Sequence, residues 1–168
     1  MEMPVFTIRG KNHRERGVDY GVQCKELIQG VLERYIRFFN GGHTAVSWDE
    51  AKVISKEFLP FIHSYSPELL DELEGIAQGA DVEFDDLLTL NSRSEAMTLV
   101  RRPPSDKEEL DGCSSVAVLP DASANGHTIL AQNWDTYTWQ EYGTVILQIL
   151  RDDGPDLMIV TEAGQLAR

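Results

Sequence analysis

The period of the hydrophobic pattern changes once along this chain, and that change limits the fold more than any other feature. Up to about residue 100, apolar residues recur every three to four positions, as in helices that bury one face. After residue 113 they tend to alternate, as in strands. Residues 101–109, RRPPSDKEE, are rich in charge and proline and predict an exposed connector. Helices followed by an antiparallel sheet predict an α+β fold.

The first part is predicted to be mostly helical. Val5–Ile8 has the composition of a short strand, Gly17 and Gly21 are predicted to flank the start of the first helix, and Gly41 with Gly42 to end it. The predicted buried stripe of this helix consists of Leu27, Ile28, Val31, Leu32, Tyr35, Ile36 and Phe39.

Two further helices carry start signals. Ser47 and Glu50 have the spacing of a capping box, and Pro60 is expected to kink or end the helix that follows. The Ser-Pro dipeptide at 66–67 is predicted to begin the next helix, and residues 85–96 to form another short one.

Four strands are predicted after the connector. The first lies at 116–119, the Asn-Gly pair at 125–126 is a hairpin turn signal, and the returning strand is expected at 128–132. Residues 145–150 and 157–161 predict two more strands. The region from Cys113, at the start of the first strand, to the end of the chain is therefore the predicted sheet.

Composition narrows the class of protein. The 168 residues, 42% of them hydrophobic, suit one globular domain, and the sequence shows neither a signal peptide nor a membrane-spanning run, so a cytoplasmic location is expected. A net charge of -13 argues against nucleic acid and anionic membranes as partners. Cys24 and Cys113 stand alone, and the four histidines show no ligand spacing, so neither a disulfide framework nor a metal site is expected.

Cys113 is the candidate nucleophile, and it needs a base. A free thiol has a pKa of about 8.5, so only a few per cent is ionised at neutral pH. No histidine has a Cys-His spacing signature, whereas an α-amino group, with a pKa of about 7.7–8.0, would serve if Cys113 became an N-terminus. Cutting the Gly112–Cys113 bond would create that group. Glycine suits such a cut because it tolerates a strained backbone and leaves its carbonyl accessible.

Five motifs along the chain resemble the acyl-coenzyme A:6-aminopenicillanic acid acyltransferase (isopenicillin N acyltransferase) family of N-terminal nucleophile hydrolases. They are GIAQGA at 75–80, LNSRSE at 90–95, DGCSS at 111–115, AQNWDTY at 131–137 and TEAG at 161–164. The resemblance implies an αββα-type fold made as one precursor, which cleaves itself before the cysteine of a Gly-Cys-Ser or Gly-Cys-Thr motif. It implies no cofactor and no metal.

The same resemblance implies roles for individual residues. Cys113 matches the nucleophile and Asp135 the carboxylate that holds the new amino group, while Ser114, Asn133 and Trp134 match the surrounding motifs in supporting or substrate-contacting positions. Gln132 stands where the related bile-salt and penicillin V amidases usually have arginine, which favours the acyltransferase branch. Family members continue well past TEAG, to an asparagine of the oxyanion hole, so a fragment, a truncated gene product or one half of a split protein is expected.

Simpler interpretations stand beside these. An isolated cysteine opening a strand is more often a core residue than a nucleophile, and Asp135 with Thr136 could form only a turn. Asn91, Arg93 and Glu95 are expected to form a structural polar cluster, and Glu162 fits either role. The aromatic residues Tyr35, Phe38 and Phe39 are most simply core, and Cys24 has no assigned role.

Together these observations predict an α-chain region at 1–112, including the connector 101–112, and the start of a β-chain region at 113–168. The predicted activity is amide hydrolysis or N-acyl transfer through a thioester on Cys113, with a small amide or an acyl-coenzyme A as substrate. Its expected partner is its own cleaved chain, or a protein supplying the missing C-terminal half. The alternative is a catalytically silent homologue, or a subunit of a split enzyme, that acts in protein association.

Overall fold

A computed structural model describes residues 3–100, 113–152 and 154–166, and it has the predicted α+β composition. The described residues divide into two units: 3–100 with 139–166, and the shorter segment 113–138. The connector and Gly112 lie outside the described residues. No helix in the described part of the chain is both long and apolar enough to cross a membrane.

The larger unit carries all six α-helices of the described chain, together with three strands. The helices are α1 (His13–Gln23), α2 (Lys25–Phe38), α3 (Trp48–Lys56), α4 (Leu59–Tyr65), α5 (Pro67–Ala80) and α6 (Phe84–Val100). The strands are β1 (Val5–Ile8), β4 (Thr144–Ile149) and β5 (Leu157–Glu162). The predicted stripe is buried or partly buried, and it lies mostly on α2.

Two helix boundaries show the predicted local chemistry. Ser47 and Glu50 form the predicted capping box at the start of α3, and Gly42, with φ of 79°, closes the turn after α2. The prediction for Pro60 was wrong: α3 ends before it, at Lys56, and Pro60 lies in the first turn of α4, where its missing N–H costs nothing.

The prediction that Gly17 and Gly21 flank a helix start was also wrong, because both lie inside α1. A Cβ on either would overlap the main chain of α5, and one on Gly75 or Gly79 of α5 would overlap the main chain of α1. The four glycines therefore let the two helix backbones approach each other closely, which offsets the low helix propensity of glycine.

The strands form two sheets rather than the single antiparallel one predicted. In the larger unit, β4 pairs antiparallel with β5 and parallel with β1. In the smaller unit, β2 (Ser114–Val118) and β3 (Ile129–Asn133) form an antiparallel hairpin whose connection contains the predicted Asn-Gly turn. Local sequence patterns identified the strands but not the pairing of β1 with β4, since those strands lie far apart in the chain.

Candidate functional site

Cys113 lies at the mouth of the β2–β3 hairpin, directly before the first residue of β2. Its side chain is exposed, and its Sγ lies 3.9 Å from the main-chain oxygen of Asp135. The hairpin register explains this proximity: Ser114 pairs with Asn133, so the residues just outside that pair come together although 22 positions separate them.

The carboxylate of Asp135 is held by a neighbouring side chain. Asn133 Nδ2 donates a hydrogen bond to Asp135 Oδ2 at 3.0 Å, while Asn133 Oδ1 accepts one from the main-chain N–H of Ser114 at 2.7 Å. Both residues are exposed. The hairpin thus brings together four of the predicted site residues: Cys113, Ser114, Asn133 and Asp135.

Trp134 and Gly112 complete the predicted set. Trp134 is partly buried between the exposed Asn133 and Asp135. Gly112, on the other side of the predicted cleavage point, lies outside the described residues.

The four histidines lie in different parts of the described chain. His13 Nδ1 lies 3.1 Å from Glu72 Oε2, and His43 stacks on the ring of Phe38. His127 is exposed in the hairpin connection, and His63 lies in α4. Within the described ranges, no group of three potential metal ligands occurs.

A buried polar cluster in the larger unit surrounds Glu162. Its Oε2 accepts hydrogen bonds from Tyr35 at 2.8 Å and from Gln165 at 2.6 Å, and Arg93 lies 3.5 Å away as its ion-pair partner. Gln140 in turn donates to the hydroxyl of Tyr35. Burial is the main reason why the pKa of Tyr35 is raised above its usual range. These buried contacts favour a structural role for Glu162.

The expected cluster of Asn91, Arg93 and Glu95 is thus only partly correct. Asn91 donates to the oxygen of Gly164 and accepts from the N–H of Leu166, both at 2.9 Å, which ties α6 to the segment after β5. Arg93 joins Glu162, but Glu95 points to solvent because it lies on the outer side of α6. Gln140 and Gln165 were missed, since an isolated glutamine carries no motif.

Cys24 contrasts with Cys113. It lies in the core, only 1% exposed, and burial, helped by the nearby charge of Asp19, raises the pKa of its thiol to about 12. Tyr35 and Phe39 are buried and Phe38 is partly buried, so the prediction that these aromatic residues belong to the core is confirmed.

Relatives of this chain among known proteins include an acyltransferase and a hydrolase. The chain is 29% identical over 155 residues to the acyl-coenzyme A:6-aminopenicillanic-acid-acyltransferase 40 kDa form of Emericella nidulans, a match that covers 89% of this chain and 40% of the relative. It is 28% identical over 158 residues to the β-alanyl-dopamine/carcinine hydrolase of Drosophila melanogaster, covering 89% of this chain and 38% of the relative.

The chain therefore spans about two fifths of the length of these relatives. No family model matches it. The predicted resemblance to the acyltransferase family is confirmed by the two relatives, one named as an acyltransferase and the other as a hydrolase.

Proposed function

We propose that Cys113 is the nucleophile of a self-cleaving amide hydrolase or acyltransferase. The observation that carries this proposal is the hairpin geometry, which places an exposed thiol next to Asp135 with the carboxylate already hydrogen-bonded to Asn133. A reactive cysteine needs access to its substrate, and Cys113 has it whereas Cys24 does not. The names of the two relatives support acyl chemistry.

Activation begins with the thiol of Cys113 attacking the carbonyl carbon of Gly112. The C–N bond of the peptide breaks as a C–S bond forms, and the departing nitrogen takes a proton, which leaves Gly112 as a thioester on Cys113. Water then hydrolyses the thioester, so the products are the carboxylate of Gly112 and a free thiol and α-amine on Cys113. The amine can act as general base in later cycles.

In turnover, the thiol of Cys113 attacks the acyl carbon of a substrate and forms a thioester, while the leaving group takes up the proton. Water releases the acyl group as an acid, and an amine releases it as an amide. Asp135 stabilises the protonated α-amine by its opposite charge. Because a protein of net charge -13 repels an anionic acyl-coenzyme A at long range, a small amide is the favoured substrate class.

A chemical probe for N-terminal cysteine tests the activation step. The 1,2-aminothiol that cleavage creates condenses with 2-cyanobenzothiazole, and an internal cysteine cannot form the same stable product. We expect purified protein to incorporate the probe on the fragment that starts at Cys113. Cys24→Ala should incorporate it equally and Cys113→Ala not at all. Absence of the product from the unsubstituted protein would overturn the proposal.

The turnover step has its own test. Incubation with a small N-acyl amide should add the mass of the acyl group to the fragment that starts at Cys113, and hydroxylamine should remove it because it cleaves thioesters. If the cleaved protein never carries an acyl group under single-turnover conditions, the role of Cys113 in substrate chemistry is wrong while self-cleavage stands.

Exposed apolar side chains favour a second candidate function, protein association. In the hairpin, Val116, Leu119 and Leu130 are 56%, 66% and 76% exposed. Surface of this kind is typical of contacts with other polypeptides. A chain that stays uncut and forms a stable complex with another polypeptide in a pull-down would support the role of a silent subunit.

A further inference from the structure

The side chain of Asn133 connects the two halves of the proposed site. Through Oδ1 it accepts the N–H of Ser114, the residue directly after the nucleophile, and through Nδ2 it donates to the Asp135 carboxylate, at 2.7 and 3.0 Å respectively. One amide therefore contacts the main chain beside Cys113 and the charged group that the proposed chemistry requires.

Chemistry fixes the orientation of this amide. A main-chain N–H can only donate and a carboxylate can only accept, so Oδ1 must face Ser114 and Nδ2 must face Asp135. An aspartate at 133 would offer two acceptors, and a leucine would offer neither group. Asparagine satisfies both neighbours with the shortest amide side chain available.

We propose that Asn133 is a positioning residue for the Asp135 carboxylate, an inference that rests on the proposed function of Cys113. The hydrogen bond from Asn133 engages Oδ2 of Asp135. In this role the carboxylate stabilises the nitrogen of Cys113, which becomes positively charged as it takes up its proton during cleavage. Because Asp135 is exposed, its side chain would otherwise exchange among rotamers in water. The bond to Ser114 keeps the amide itself in place.

The isosteric variant Asn133→Asp separates positioning from structure. It retains an acceptor for the N–H of Ser114, but it loses the donor to Asp135 and places a second negative charge beside that carboxylate. Since hydrogen bonds to charged groups are among the stronger ones, we expect self-cleavage to slow by about 10- to 100-fold. Asn133→Ala removes both hydrogen bonds and serves as the variant that also loses the structural contact.

Asn125→Asp is the matched control. Asn125 lies in the connection of the same hairpin, where its Oδ1 accepts the N–H of His127 at 3.1 Å, a bond that aspartate can also accept. The substitution introduces the same charge in the same unit and leaves Asp135 unchanged. We expect it to cleave at the rate of the unsubstituted protein.

Two readouts are needed: the cleavage rate from intact mass, and the hydrogen exchange of the Ser114 amide. Slow cleavage of Asn133→Asp, with Ser114 still protected and Asn125→Asp unaffected, is the predicted result. Unchanged cleavage in Asn133→Asp, loss of Ser114 protection in it, or equal slowing in Asn125→Asp would each overturn the positioning role. If the unsubstituted protein does not cleave, the proposed function fails first and the positioning role fails with it.

Discussion

The thiols of the two cysteines lie in different environments in the two units. Cys24 is enclosed by the core of the larger unit, where burial keeps its thiol protonated, whereas Cys113 is exposed at the mouth of the hairpin. The polar side chains differ in the same way: the Glu162 cluster is buried, and Asn133 with Asp135 is exposed. The contrast favours the proposal that the larger unit supplies stability and that the chemistry belongs to the hairpin.

Thiol labelling should give the largest difference between the units. With a pKa of about 12, only about 10⁻⁵ of Cys24 is thiolate at pH 7, and its sulfur is shielded from reagents. We expect Cys113 to react with iodoacetamide at least about 100-fold faster than Cys24 in the native protein. Peptide mass spectrometry on a time course measures both sites, with Cys113→Ser as control. Equal rates would contradict the assignment.

The glycine contact between α1 and α5 should be the most sensitive part of the larger unit. Gly75→Ala places a methyl group against the main-chain oxygen of Arg14, so the helices must separate, and we expect the free energy of unfolding to fall by about 2–4 kcal/mol. Urea unfolding measures this. In the matched helix variant Gly30→Ala, the atoms nearest to the methyl group belong to the side chain of Tyr142 rather than to a main chain, so the loss should be much smaller. Equal losses would contradict the close helix contact.

Removing one hydroxyl from the buried cluster should have a moderate effect. Tyr35→Phe deletes the hydroxyl that donates to Glu162 and accepts from Gln140, so we expect a loss of about 1–3 kcal/mol in unfolding free energy. Tyr65, which is 86% exposed, provides the control Tyr65→Phe, whose effect should be close to zero. A tolerated Tyr35→Phe would show that the cluster adds little to stability.

A change to alkaline pH should have the smallest effect on the free energy of unfolding. The pKa of the Cys24 thiol is raised from 9.0 in the unfolded reference to about 12 in the fold, so between these values the unfolded state loses its proton first. Full stabilisation is therefore present below pH 9 and is lost as the pH rises towards 12. Urea unfolding at pH 8 and 10 should show a smaller decrease for Cys24→Ala than for the unsubstituted protein. Identical decreases would contradict a buried, protonated Cys24.

The sequence predicted the parts of the molecule that local chemistry determines. The capping box at Ser47, the strands after Cys113 and the Asn-Gly turn each depend on a few adjacent residues, and all are present. The juxtaposition of Cys113 with Asp135 followed from the hairpin. The assignment of their roles came from the family motifs and stays a prediction.

The features that sequence reasoning missed depend on distant contacts. The parallel pairing of β1 with β4 leaves no local signal, and Gln140 and Gln165 gain their meaning only from Glu162 and Tyr35. The close contact of α1 with α5 did leave a signal in the sequence: glycines stand four residues apart at 17 and 21 and again at 75 and 79. Matching small-residue spacings in two helices could have identified that pair.

Intact-mass measurement of the purified chain tests the conversion of Cys113 into an N-terminus most directly. Cleavage before Cys113 predicts fragments of about 12.6 and 6.3 kDa, the shares of 112 and 56 residues in a chain of 168 residues and 18.9 kDa. Cys113→Ala should stay at the full mass and Cys24→Ala should cleave normally. The conversion would be contradicted if the unsubstituted protein showed only the uncut species, and if its mass, like that of Cys113→Ala, did not change over time.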